Sequence, residues 1–138
     1  MGIQYAGIRV TDLDRSLRFY RDGLGLVERQ RGTMSHGGTW VALADPETGF
    51  ALELNVYPPT STFATPYSVG EGLDHLGVEV ADARATVERL RAMGAKVAVE
   101  PWLENGRYWI GFVEDPDGIW IELQSAVPPR VSEPSGPS

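Results

Sequence analysis

The stretch from Tyr5 to Asp12, YAGIRVTD, returns at His75 to Asp82 as HLGVEVAD, at an offset of 70. Gly7 meets Gly77, Val10 meets Val80 and Asp12 meets Asp82. A second match follows in the same order: WVALADPETGFALEL, Trp40 to Leu54, lies over WIGFVEDPDGIWIEL, Trp109 to Leu123. It starts at an offset of 69 and needs one residue inserted and one deleted around the turn. In that alignment Trp40 meets Trp109, Asp45-Pro46 meets Asp115-Pro116 and Glu53 meets Glu122. Self-similarity of this kind means one supersecondary unit used twice. A chain of 138 residues has room for two small half-domains sharing a core.

The local pattern gives each unit the order βαβββ. Ile3 to Val10 reads as a strand. Thr11 or Asp12 caps a helix to about Asp22, with Leu13, Leu17 and Tyr20 at helical spacing. Strands follow near Leu26 to Thr33, Thr39 to Ala44 and Phe50 to Tyr57, punctuated by Ser35-His36-Gly37-Gly38 and Asp45 to Gly49. The second copy has a strand at Leu73 to Val80 and a helix at Asp82 to Met93. Strands follow at Lys96 to Val99, Tyr108 to Val113 and Ile119 to Gln124. The expected organisation is a first module over 1–57, a connector over 58–72, a second module over 73–126 and a loose tail over 127–138.

Composition narrows the function classes. The formal net charge is -7, so a basic face for phosphate contacts is not expected; nor is attraction to an anionic membrane surface. The arginines at 15, 18 and 21, and at 84, 89 and 91, read as solvated helix surface. Cysteine is absent, which excludes disulfides, thiolate ligands and a cysteine nucleophile. No apolar run approaches the roughly 20 residues of a membrane span. MGIQYAGIRV lacks the regions of a secretory signal, so a cytoplasmic protein is expected.

Strand alternation places Trp120, Glu122 and Gln124 on one face, with Ile121 and Leu123 on the other. Glu53 between Leu52 and Leu54 has the same setting. A carboxylate there is costly to bury unless paired or metal-bound; spacing alone leaves equally open that both glutamates face solvent. Trp40 and Trp109 have small neighbours, Ala42 and Gly111. Each indole therefore either lines a cleft as a stacking surface or packs in the core. His36 sits in a turn and reads as an exposed turn histidine.

The run Val10-Thr11-Asp12-Leu13, then Ser16, Phe19-Tyr20 and Leu24-Gly25, together with Asp115 to Leu123, resembles the vicinal oxygen chelate (glyoxalase/bleomycin-resistance/dioxygenase) superfamily. The resemblance covers residues 3–124. It implies an α+β fold of two tandem βαβββ modules whose half-barrel sheets enclose a shared cleft, with metal ligands on the first and last strands of each module. Carried over by position, those sites are Tyr5, Glu53, His75 and Glu122. An imidazole and two carboxylates suit Zn, Ni, Mn or Fe. Tyr5 stands where glyoxalase I relatives have histidine or sometimes glutamine, and a neutral phenol is a poor ligand. Asn55 and Gln124 are candidates for hydrogen bonds that orient the ligands.

Two functions fit this resemblance. One is a glyoxalase I-like, metal-dependent lyase or isomerase acting on a hemithioacetal or acyl thioester through an enediolate, with Glu122 as base and Glu53 as its partner. The other is a metal-free protein that sequesters a hydrophobic or planar compound on Trp40, Trp109 and Trp120, with Asn55 and Tyr5 at the cleft. Both take a small molecule, and neither needs nucleic acid or membrane. The connector is long enough for modules to pair within a chain or between two, and a homodimer is expected.

Overall fold

The computed structural model describes residues 4–35, 37–62, 64, 66, 68, 71, 73 and 75–128. The first module contains β1 (Ala6–Arg9), helix α1 (Leu13–Leu17), a π-helical continuation (Arg18–Gly23), β2 (Val27–Thr33), β3 (Thr39–Ala44) and β4 (Ala51–Val56). The second contains β5 (Leu76–Glu79), α2 (Ala83–Ala92), β6 (Val97–Glu104), β7 (Tyr108–Glu114) and β8 (Trp120–Ala126). Both copies of the repeat therefore fold as βαβββ. His36 lies outside the described residues, as do most of the expected tail and part of the connector. No helix among the described residues is long and apolar enough to cross a membrane.

The repeated aspartates start both helices. Asp12 accepts from the Arg15 N–H at 3.1 Å, and Asp82 from the Ala85 N–H at 3.2 Å. Each satisfies an amide that the first helical turn leaves without an intrahelical partner. The sheets are ordered β1-β4-β3-β2 and β5-β8-β7-β6. In each, the first strand runs parallel to the last, and the other pairs are antiparallel. Glu53 and Glu122 consequently sit on interior strands, directly beside Gly7 and Gly77.

The buried core collects the helix-facing side chains: Ile8, Val41, Leu43, Leu52 and Leu54 in one module, and Val113, Ile121 and Leu123 in the other. Leu17, Tyr20, Val87 and Leu90 cover them from the helices. Gly23 lets the two helical segments approach, since a Cβ there would lie 3.0 Å from the Leu90 Cδ2. Arg89 Nη2 donates to the Gly23 carbonyl at 2.6 Å across the same seam.

The structure corrects the sequence alignment at one point. Glu53 lies opposite Ala42, and Glu122 lies opposite Phe112. Ala42 is therefore equivalent to Phe112, and Trp40 to Ile110, not to Trp109. The two copies then differ in length by a single residue, inside the turn that runs from Ala44 to Ala51 in one and from Glu114 to Trp120 in the other. Because side chains alternate, that one-residue difference puts Trp40 and Trp109 on opposite faces of their sheets.

β6 is also longer than expected and includes Pro101. It is the outer strand of its sheet, where a residue without an N–H is tolerated, and its register shifts between Val99 and Trp102.

Candidate active site

On β8 burial alternates as the sequence pattern predicts: Ile121, Leu123 and Ser125 are buried against the helix side, while Glu122 and Gln124 stand half-buried on the open face. His75 immediately precedes β5, the strand hydrogen-bonded beside β8. Its Nε2 lies 3.0 Å from Glu122 Oε2, with the two side chains 35% and 21% exposed. Gly77 keeps the space beside Glu122 clear, for a Cβ at that position would touch nothing within 4 Å.

Glu53 occupies the corresponding place on β4, half-buried and beside Gly7. Tyr5 precedes β1 and is 53% exposed. Among the described residues no group of three or more His, Cys, Asp or Glu gathers into a metal-sized cluster. His75 and Glu122 thus meet within one chain, and Glu53 does not join them there.

The donor chemistry of this pair fits a divalent ion. Two ligand atoms each about 2.0–2.2 Å from a metal, at roughly a right angle, lie about 3 Å apart. One imidazole nitrogen and one carboxylate oxygen are two donors of the kind such an ion takes, and among the described residues no third carboxylate or imidazole joins them.

The other sequence candidates divide. Trp40 lies opposite Asn55, on the same face as Glu53. Asn55 is buried, and its Nδ2 is turned to the carbonyls of Ile8 and Glu53, both at 3.4 Å. Trp109 is a correction: it lies opposite Ser125, whose hydroxyl accepts from the Ala83 N–H at the start of α2. The Arg84 guanidinium of α2 sits 4.2 Å from its ring centroid. The indole therefore packs on the helix side of the sheet, away from Glu122. Trp120 is on the Glu122 face and 41% exposed.

Two residues of that face were missed by the sequence analysis. Phe112, opposite Glu122, holds its ring centroid 5.6 Å from that of His75, edge-on. Trp102 stacks on Phe112 at 6.1 Å and 14°, and Trp120 packs against it at 5.5 Å. Period-two counting back from Glu114, the residue opposite Trp120, would have found Phe112. Trp102 was hidden because Pro101 reads as the end of a strand.

A groove of about 820 Å³ runs between the modules, walled by Tyr20, Asp45, Leu52, His75 and Val78 among others. His75 borders it; neither Glu53 nor Glu122 does. Both carboxylates are on the open sheet faces, outside this seam.

Residues 2–123 match the family model for the Glyoxalase/Bleomycin resistance protein/Dioxygenase superfamily. A probable lactoylglutathione lyase of Synechocystis is 37% identical over 125 residues, covering 89% of this chain and 94% of that protein. A probable chloroplastic lactoylglutathione lyase of Arabidopsis thaliana is 34% identical over 119 residues. That match takes in 83% of this chain, which spans only 33% of the plant protein. The crystal structure of glyoxalase I from Zea mays superposes with a TM-score of 0.74 at 29% identity, covering 88% of this chain and 43% of that one. The matched residues include both copies of the repeat, and the chain belongs to the Glyoxalase/Bleomycin resistance protein/Dioxygenase superfamily.

Proposed function

We propose that the chain is a glyoxalase I-type lyase that isomerises the hemithioacetal of a 2-oxoaldehyde to the thioester of a 2-hydroxy acid. The observation that carries this reading is the 3.0 Å approach of His75 Nε2 to Glu122 Oε2 on an open sheet face. The name of the Synechocystis relative, which the chain matches over nearly its whole length, supports the same chemistry. It does not favour the sequestering alternative.

Glu122 takes the proton from the carbon that bears the sulfur and the hydroxyl, and returns it to the neighbouring carbonyl carbon. The hydroxyl proton passes to the adjacent oxygen, so the substrate and the product thioester have the same atoms. An enediolate lies between the two carbon-proton transfers. His75, Glu122 and Glu53 would hold a divalent ion (Zn, Ni, Mn or Fe), with Tyr5 at its border. Bound there, such an ion would supply Lewis-acid stabilisation of the developing negative charge.

Glu53 and Tyr5 come to this site from a second copy of the chain. The support is that one chain brings His75 to Glu122 but leaves Glu53 apart. A homodimer in which each site takes one face from each copy completes both halves. The substrate is a small molecule, and the reading places the protein in the cytoplasm.

The test is turnover of hemithioacetals by protein stripped of metal and then reconstituted with Ni, Zn, Mn or Fe. Metal-dependent formation of thioester is expected. No turnover with any of the four, on several hemithioacetals, would sink the lyase reading.

A further inference from the structure

The open face beside Glu122 is built of aromatic rings rather than of the aliphatic side chains that fill the core. Phe112 stands at its centre, opposite Glu122. Trp102 lies nearly parallel to it at 6.1 Å, and Trp120 is tilted against it at 5.5 Å. Nothing in the folding of the sheet requires Trp120 there, since it is 41% exposed while its neighbours Ile119 and Ile121 are buried. Trp102 has its polar atom engaged already, its Nε1–H donating to Glu104 Oε2 at 2.6 Å. What it presents to Phe112 is the flat ring.

Carboxylates border this surface. Glu104 holds Trp102, Glu114 lies opposite Trp120 with Lys96 3.4 Å away, and Glu122 lies opposite Phe112. A negatively charged ring would meet these groups unfavourably, whereas an uncharged ring gains stacking contacts with no opposing charge.

We propose that Trp120, with the Phe112–Trp102 pair, selects substrates in which the group attached to the vicinal oxygens is a flat, uncharged aromatic ring. The inference rests on the lyase reading for its substrate class, an aryl 2-oxoaldehyde adduct in preference to a methyl one. Stacking of this kind is worth about 3- to 10-fold in affinity per ring pair.

The experiment has a binding arm and a turnover arm, both on the full chain. In the first, 2-hydroxyacetophenone and hydroxyacetone, which share vicinal oxygens and differ in a phenyl against a methyl group, are titrated by calorimetry. Wild type should bind the phenyl compound more tightly, by roughly 10-fold or more, and Trp120→Ala should reduce that preference by about 3- to 10-fold. Trp120→Phe should keep most of it, and circular dichroism checks that both variants are folded. In the second arm, kcat/KM is compared for hemithioacetals of phenylglyoxal, 4-carboxyphenylglyoxal and methylglyoxal. Phenyl should lead, and the carboxylated ring should lose the advantage. If turnover is absent but the Trp120-dependent preference in binding persists, the lyase reading falls and the aromatic site stands. Equal binding of phenyl and methyl compounds by wild type, or an unchanged preference in folded Trp120→Ala, overturns the site whether or not turnover is seen.

Discussion

The phenol of Tyr20, on the helix of the first module, donates to Asp115 Oδ2 of the second at 2.8 Å. Asp115 is 4% exposed, and its other oxygen accepts the N–H groups of Asp117 and Ile119, both at 2.8 Å. The same turn also receives Thr11, whose hydroxyl donates to Asp117 at 2.6 Å. In the first copy of the repeat, Asp45 likewise accepts two backbone N–H groups, but from Glu47 and Thr48, two and three positions on, and from a half-buried position. The turn is therefore a local device used twice, and the second use is also a joint between modules.

Tyr20→Phe removes a buried hydrogen bond to a carboxyl group and should cost about 1.5–3 kcal/mol of stability, read from urea unfolding. Burial raises the Asp115 carboxyl above the usual 3.8, against the lowering effect of Tyr20 and the two backbone N–H groups. The folded chain then holds this proton more tightly than the unfolded chain. The contribution of Asp115 to stability is present below its unfolded pKa and is lost as pH rises through its raised folded value. Relative to Asp115→Asn, which does not titrate, wild type should lose stability as pH rises from about 3 through the acid range. A flat difference across that range would contradict the shift.

Glu122→Gln keeps the shape of the side chain and removes the base. Turnover of hemithioacetals should fall by about 10²-fold or more, chiefly in kcat, while the affinity for a non-reactive vicinal-oxygen ligand changes little. An unchanged kcat would assign the proton transfer to another group.

His75→Ala takes away the imidazole that faces Glu122. Metal content after reconstitution should drop sharply relative to wild type, as measured by elemental analysis of untagged protein. The protein should remain folded, since His75 is a third exposed and lies outside the core. Full retention of metal would show that the ion, if held, sits elsewhere.

Mixing Glu53→Gln with Glu122→Gln chains separates the two ways of completing the site. If each site takes Glu53 from one copy and Glu122 from the other, a mixed dimer has one intact site and one doubly altered site. Random exchange should then restore about a quarter of wild-type activity, from two inactive preparations. No restoration after verified subunit exchange would mean that both glutamates of a site belong to one chain.

Trp109→Ala should act on stability alone. Its indole lies under Arg84 on the helix side of the sheet, so truncation should cost about 1–3 kcal/mol and leave ligand affinity within experimental error. A loss of affinity at constant stability would place Trp109 in the site after all.

The sequence alone determined the unit and its repetition. Helix starts at Asp12 and Asp82, strand alternation around Glu53 and Glu122, and the Asp45 and Asp115 turns are local chemistry, set by residues within a few positions of each other. The resemblance to the superfamily, not the local pattern, put His75 and Glu122 among the expected ligands with Tyr5 and Glu53, and these two lie 3.0 Å apart. Which face Trp40 and Trp109 occupy was decided only in the folded sheet. A turn that differs by one residue between the copies leaves the local pattern almost unchanged, but with a side-chain period of two it inverts the outcome. Trp102 joined the aromatic face because an outer strand tolerates Pro101, a fact of sheet position that no local pattern records. The separation of Glu53 from His75 and Glu122 is likewise tertiary. The modules meet where Tyr20 reaches Asp115 and Arg89 reaches Gly23, contacts between residues more than sixty positions apart.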